Sequence, residues 1–109
     1  MAQLLFSSEI KSGQPEGIGL SMWRFNLGGG TAEQGSNSDI EDQSRRAECF
    51  LQADGTLDWT HQAGQQYFLQ KAREYGCEQF VMFSNTPPIY YTRNGKGYSG
   101  MGAYSNLKG

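Results

Sequence analysis

Long apolar runs are missing from this chain. No stretch approaches the roughly 18 consecutive apolar residues that a membrane-spanning helix needs, so a membrane partner is not expected. Met1–Gly13, MAQLLFSSEIKSG, carries neither the basic region nor the long apolar stretch of an export signal, because Leu4–Phe6 is too short. Basic charge is also scarce. Nine Lys and Arg face 11 Asp and Glu, for a formal charge of −2, which leaves no surplus to hold a phosphate backbone and excludes nucleic acid as the expected partner. There are two cysteines, Cys49 and Cys77, with no CxxC spacing and with the single histidine, His61, near neither in sequence. Zinc and other metals are therefore not expected. Two free or buried thiols are the first expectation for the cysteines, and one disulfide is the other. Prolines number three and no Gly-X-Y period exists, which excludes collagen.

Glycine, by contrast, is abundant, with 15 in 109 residues, about twice the usual share. The hydrophobic fraction of 37% and aromatic fraction of 13% are those of a folding chain, and residues 1–109 are long enough for one small domain or a piece of a larger one. Gly17–Leu27, GIGLSMWRFNL, is apolar on both alternating sides and reads as a strand covered on both faces. Gly28-Gly29-Gly30 ends it. The spacing is neither GxGxxG nor GxxxxGK[ST], and no helix is expected to open at Gly30, so a permissive turn is a better account than a nucleotide loop, and no cofactor is expected. The polar stretch 31–46 lacks periodicity and is expected to be loop, with a short helical turn within Asp39–Arg46. Asp54-Gly55 is a turn signal. Thr60–Tyr75 has helical periodicity, with Asp58 or Thr60 as cap and Gly76 as the left-handed stop. Gly64 costs that helix about 1 kcal/mol relative to Ala, which marks it as a place where another backbone comes close. Cys77–Ser84 reads as a second strand, cut off by Pro87-Pro88 and followed by Ile89-Tyr90-Tyr91. Asn94–Gly109 is glycine-rich, without a core-forming pattern. Strand, long loop, helix and strand make an α/β order with parallel strands.

The residues with chemistry to offer cluster just past the ends of the two strands. Arg24 sits among apolar neighbours and needs a carboxylate or carbonyl partner, either in a salt bridge at the sheet end or at the rim of a ligand site. Asn26 offers a donor and an acceptor beside it. Asn85, with Tyr90 beyond the prolines, pairs an amide with an aromatic face. That is how a sugar is held, unless the rings only cover the sheet end. Glu33 is the acidic group nearest a strand end. Glycosidic hydrolysis needs two carboxyl groups at a controlled separation on rigid elements, and Glu33, Asp39, Glu41 and Asp42 all lie in loop. Glu48, Glu74 and Glu78 read as surface charges, and His61 as a solvated residue in the first turn of the helix.

Three strings are specific enough to compare with known families: GIGLSMWRFNLGGGTAEQGS, RRAECFLQADGTLDWTHQAGQQYFLQKAREYG and FVMFSNTPPIYYTRNGKGYS. Together, over about residues 4 to 108, they resemble glycoside hydrolase family 30, and more narrowly its bacterial branch related to endo-β-1,6-galactanases. The resemblance implies a (β/α)8 barrel, of which this chain would supply the end of the first helix, the second strand and helix, and the third strand. It implies that Arg24 is the strand-end arginine of the sugar-site carboxylate network. It implies that Tyr90 replaces the Trp of an S-P-x-W motif, and that Asn85 stands where some members place an aromatic platform. The family's acid/base glutamate follows the fourth strand and its nucleophile the seventh, so neither role falls on a residue of this sequence.

The expectation is therefore a partial barrel of a retaining O-glycosyl hydrolase acting on β-linked glycans, inactive by itself, with Arg24, Asn26, Asn85 and Tyr90 as substrate-binding residues. Its parent protein is expected to be secreted or periplasmic, and its partners to be a carbohydrate and the remainder of the barrel. The alternatives are a non-catalytic carbohydrate-binding module or an inactive truncated gene product.

Overall fold

The structure, a computed structural model, describes residues 1–98 and 106–109. The rest of the glycine-rich tail, whose pattern carried no core signal, lies outside the described residues. The chain divides into two units, Met1–Asn26 with Ala63–Phe83, and Leu27–Gln62 with Ser84–Gly109.

The first unit is one β/α/β crossover with a short leading helix. Helix α1 spans Ala2–Phe6, and a hairpin of β1, Ile10–Lys11, and β2, Gln14–Pro15, follows. Between these strands Ser12 and Gly13 both have positive φ, 50° and 77°, the backbone of a tight two-residue turn. Strand β3 is Met22–Asn26 and strand β4 is Gln79–Phe83, and they pair in parallel with Arg24 opposite Val81 and Asn26 opposite Phe83. Helix α3, Ala63–Glu74, lies between them in the chain. The α/β class and the parallel pairing are as the sequence order implied. Among the described residues this parallel sheet has two strands.

Several boundaries differ from expectation, each for a physical reason. Residues 17–21 are not strand, because their backbone is tied elsewhere: the Ile18 N–H donates to the Leu4 carbonyl and the Leu20 N–H to that of Leu5, both at 2.9 Å. A Cβ on Gly17 would collide with the carbonyls closing α1, so glycine permits this approach. The sheet is not covered on both faces either. Trp23 is partly buried and its ring meets Phe6 edge-on at 5.0 Å and Phe68 at 6.0 Å, over a core of Ala2, Phe6, Ala72 and Cys77. On the opposite face Met22, Arg24 and Val81 are exposed. Among the described residues, nothing lies within 4 Å of where a Cβ on Gly64 would stand, so the close approach expected there is not seen. Gly76, with φ 92°, does terminate α3, and the Cys77 N–H donates to the Ala72 carbonyl.

The second unit is mostly turns. A short helix α2, Thr31–Gln34, opens directly after Gly30, where none was expected, and runs into a 3-10 turn, Gly35–Ser38. A second 3-10 turn, Gln43–Arg45, is the expected turn within Asp39–Arg46. The Asp54-Gly55 turn forms as expected, with Gly55 at φ 85° and bridge pairing between Leu51 and Leu57. Ile89–Tyr91 is a 3-10 turn. Cys49 and Cys77 are both buried free thiols.

Candidate functional site

The glycine triplet sets the geometry of the second unit. A Cβ on Gly28 would meet the Glu48 carbonyl oxygen, and one on Gly29 would meet the Thr86 hydroxyl. Gly30 has φ 100° and faces Ile89 and Cys49. The Ile89 N–H donates to the Gly29 carbonyl at 2.9 Å. The triplet thus lets three loops approach backbone to backbone, which is a structural use of glycine and not a phosphate cradle.

Around it, charged side chains hold the main chain. Glu33 Oε1 accepts the Cys49 N–H at 2.8 Å, while His61 Nδ1 stands 2.8 Å from the Cys49 carbonyl oxygen and 3.1 Å from Glu33 Oε1. His61 Nε2 is 3.5 Å from Asp58 Oδ2, and Glu48 Oε2 accepts the Gln62 N–H. His61 is therefore neither in the helix, which begins at Ala63, nor simply solvated. The Cys49 carbonyl raises the imidazole's pKa above the ordinary 6.5; partial burial opposes this, and the carboxylates of Asp58, Glu33 and Glu48 reinforce it. Asp58 does not cap α3; its carboxylate takes the N–H and hydroxyl of Thr60 in a local turn. Glu48 is exposed, yet its carboxylate has this fixed main-chain partner.

Of the residues expected to bind substrate, Arg24 and Asn26 share one face of β3. Arg24 is exposed, with Cζ 3.5 Å from the centre of the Phe83 ring, the residue two beyond its register partner. Among the described residues it has no carboxylate partner, so the sheet-end salt bridge is replaced by stacking on an aromatic face. Asn26 ends the strand. Gln65 brackets its backbone, accepting from the Asn26 N–H at 3.0 Å and donating to the Asn26 carbonyl at 3.1 Å. The Asn26 side-chain oxygen is buried and accepts no hydrogen bond among the described residues, an orphan that costs about 1–3 kcal/mol.

Asn85 and Tyr90 belong to the second unit. Asn85 is exposed and lines a cavity of about 380 Å³ with Thr86, Pro87, Lys96, Tyr98 and Asn106. Tyr90 is half-buried in the 3-10 turn and does not line that cavity; burial, then the charge of Glu33, raises its phenol pKa. Sequence reasoning missed Lys96, Tyr98 and Asn106. The Asn94 side chain accepts the Lys96 N–H and, like that of Asn106, donates to the Tyr98 carbonyl. The signal available was a lone Lys and Tyr among small residues in the tail, which has no period.

A parallel β/α/β crossover is the unit of α/β architecture. The model of O-glycosyl hydrolase family 30 matches residues 1–109, and this chain belongs to that family. It is similar to a conserved exported protein from Bacteroides fragilis of known crystal structure, with 40% identity and a TM-score of 0.89 over 98% of this chain. The chain spans 22% of the length of that protein. No curated protein matches it.

Proposed function

We propose that this chain forms part of the substrate-binding end of a (β/α)8 barrel in a retaining O-glycosyl hydrolase of β-linked glycans, with β-1,6-galactan as the first candidate. Arg24, Asn26, Asn85 and Tyr90 contact the glycan in this reading, and both catalytic glutamates come from outside these 109 residues. The observation that carries it is the register of β3 and β4. Asn26 lies opposite Phe83, so the chain leaves both strands at their C-terminal ends from the same rung, where parallel sheets and barrels bind their ligands. The orphaned Asn26 oxygen and the carboxylate-free Arg24 are groups with capacity left for a further partner.

The carboxylates of the chain support inactivity on its own. Retaining hydrolysis takes two carboxyl groups about 5–5.5 Å apart, one of them a nucleophile. Glu33 is engaged by the Cys49 N–H and the His61 ring, and Glu48 by the Gln62 N–H, so both serve the backbone. Export of the protein is part of the proposal and follows the description of the B. fragilis relative. Reducing-sugar release from β-1,6-galactan by the purified chain is the test. The expected result is no release above the blank, and release that is lost in Glu33→Gln would contradict the assignment of Glu33 to a structural role.

A further inference from the structure

Lys96 and Asp39 lie far apart in sequence and meet at the cavity beside Asn85. The Lys96 ammonium stands 3.2 Å from Asp39 Oδ2 and also donates to the Asn37 carbonyl. The Tyr98 hydroxyl donates to the same Asp39 oxygen at 2.7 Å. The Gln34 side chain donates to the Gly95 carbonyl, so hydrogen bonds with Gln34, Asn37 and Asp39 tie the loop 94–98 to the segment 34–39. Asp39 closes that turn in the left-handed region, φ 59°, which Asp and Asn adopt more readily than other side chains.

The groups left over define what the cavity can take. An ammonium has three N–H donors, and two of Lys96's are used. The Asn85 amide has no hydrogen bond among the described residues, and Tyr98 is 49% exposed. Asn106 is spent on Asn94 and Tyr98. An aromatic face, a free amide and a hydroxyl from Thr86 suit a ring that carries hydroxyl groups, and a volume of about 380 Å³ is of small-ligand size. The charge balance decides which ring. Lys96 contributes +1 to the wall and Asp39 cancels it.

We propose that Asp39 is a specificity-determining residue: by pairing with Lys96 it keeps the Asn85 cavity electrically neutral, so that the cavity accepts a neutral sugar residue and gives no advantage to a uronic acid. The proposal rests on the glycan reading of the chain and adds the charge class of the sugar. Tyr98 positions the Asp39 carboxylate through its hydroxyl. Its hydrogen bond first, and Lys96 second, hold the Asp39 carboxyl below the ordinary carboxylate range, so that carboxylate stays charged at neutral pH.

The test is calorimetric titration of the 109-residue chain with a neutral β-linked galactotriose and with the same trisaccharide bearing a glucuronic acid, while amide spectra follow Asn85 and Gly97. The wild-type chain should bind the two within about threefold, since paired exposed charges present little net field. Asp39→Asn keeps a residue that tolerates the backbone and exposes the Lys96 charge; affinity for the acidic sugar should rise about five- to tenfold, with the neutral one within twofold. Lys96→Gln leaves Asp39 alone and should weaken acidic-sugar binding about three- to fivefold, so it carries the test if Asp39→Asn misfolds. If Asn85 and Gly97 respond to sugar but neither variant changes the acidic-to-neutral ratio, the role of Asp39 is refuted while the glycan reading stands. No response of Asn85 and Gly97 to either sugar refutes both.

Discussion

In the unit formed by Met1–Asn26 and Ala63–Phe83, Phe6, Trp23 and Phe68 pack ring to ring over Ala72 and Cys77, and a five-residue parallel ladder carries the backbone. In the unit formed by Leu27–Gln62 and Ser84–Gly109, the buried apolar groups among the described residues are Cys49, Phe50 and Ile89, and side chains hold the main chain: Thr31 on Ala47, Glu33 and His61 on Cys49, Glu48 on Gln62. The difference teaches that one small chain uses two kinds of stabilisation. Apolar burial is non-directional and tolerates small shifts. Side-chain hydrogen bonds to buried backbone groups are directional, and each one fails singly.

The largest effect is expected where apolar burial is densest. Phe6 is 2% exposed, and Phe6→Ala should cost about 3–5 kcal/mol, a large share of the stability of a chain this size. Urea unfolding read by Trp fluorescence measures it, and a loss below 1 kcal/mol would mean that the ring stack is not the core of its unit. Next comes the removal of a backbone staple. Glu33→Ala strands the Cys49 N–H and should cost about 1–3 kcal/mol, visible as faster amide exchange at Cys49 and Phe50. Unchanged exchange there would show that the second unit does not depend on this contact.

These two regions were not equally legible in the sequence. The strand and helix of the first unit follow from Trp23-Arg24-Phe25 and from Phe68, Ala72 and Tyr75, whose spacing reflects the physics that holds them. The strand still ran long over Gly17–Ser21, because composition does not reveal that Ile18 and Leu20 hydrogen-bond to the end of α1. In the second unit, the helix after Gly30 and the roles of Glu33, Glu48 and His61 were not legible, since each depends on a partner 14 to 16 residues away, or 12 for His61. The same holds for Lys96 and Asp39. Arg24, Asn26, Asn85 and Tyr90 stand out in the sequence by lying at or just past strand ends; the structure puts the first two together on β3, and Asn85 on a cavity that Tyr90 does not line.

A smaller effect is pH-dependent and belongs to the second unit alone. His61 has a raised pKa in the folded chain, so the folded state holds its proton more tightly than the unfolded one. Its contribution is complete below the unfolded value, near 6.5, and is lost as pH rises through the folded value. Stability should therefore decline as pH rises above about 6.5, and His61→Gln should remove that slope. A slope that survives the substitution would assign the linkage to another group. The smallest effect sharpens the first unit: Gly64→Ala meets open space inside α3 and should stabilise by about 0.5–1 kcal/mol, seen as a raised melting temperature. A lowered one would indicate a close neighbour at Gly64 after all.

The central claim is that a member of glycoside hydrolase family 30 recognises glycan through the ends of β3 and β4 and the loops that follow. Titrating the isotopically labelled chain with β-1,6-linked galacto-oligosaccharide and mapping the side-chain resonances tests it most directly. The account predicts that the Arg24 guanidinium and the Asn26 amide in the first unit, and the Asn85 amide and the Tyr90 ring in the second, each shift on adding sugar, while α1 and the Ile10–Pro15 hairpin stay unchanged. Shifts confined to those distant elements, or none at millimolar sugar, would contradict it.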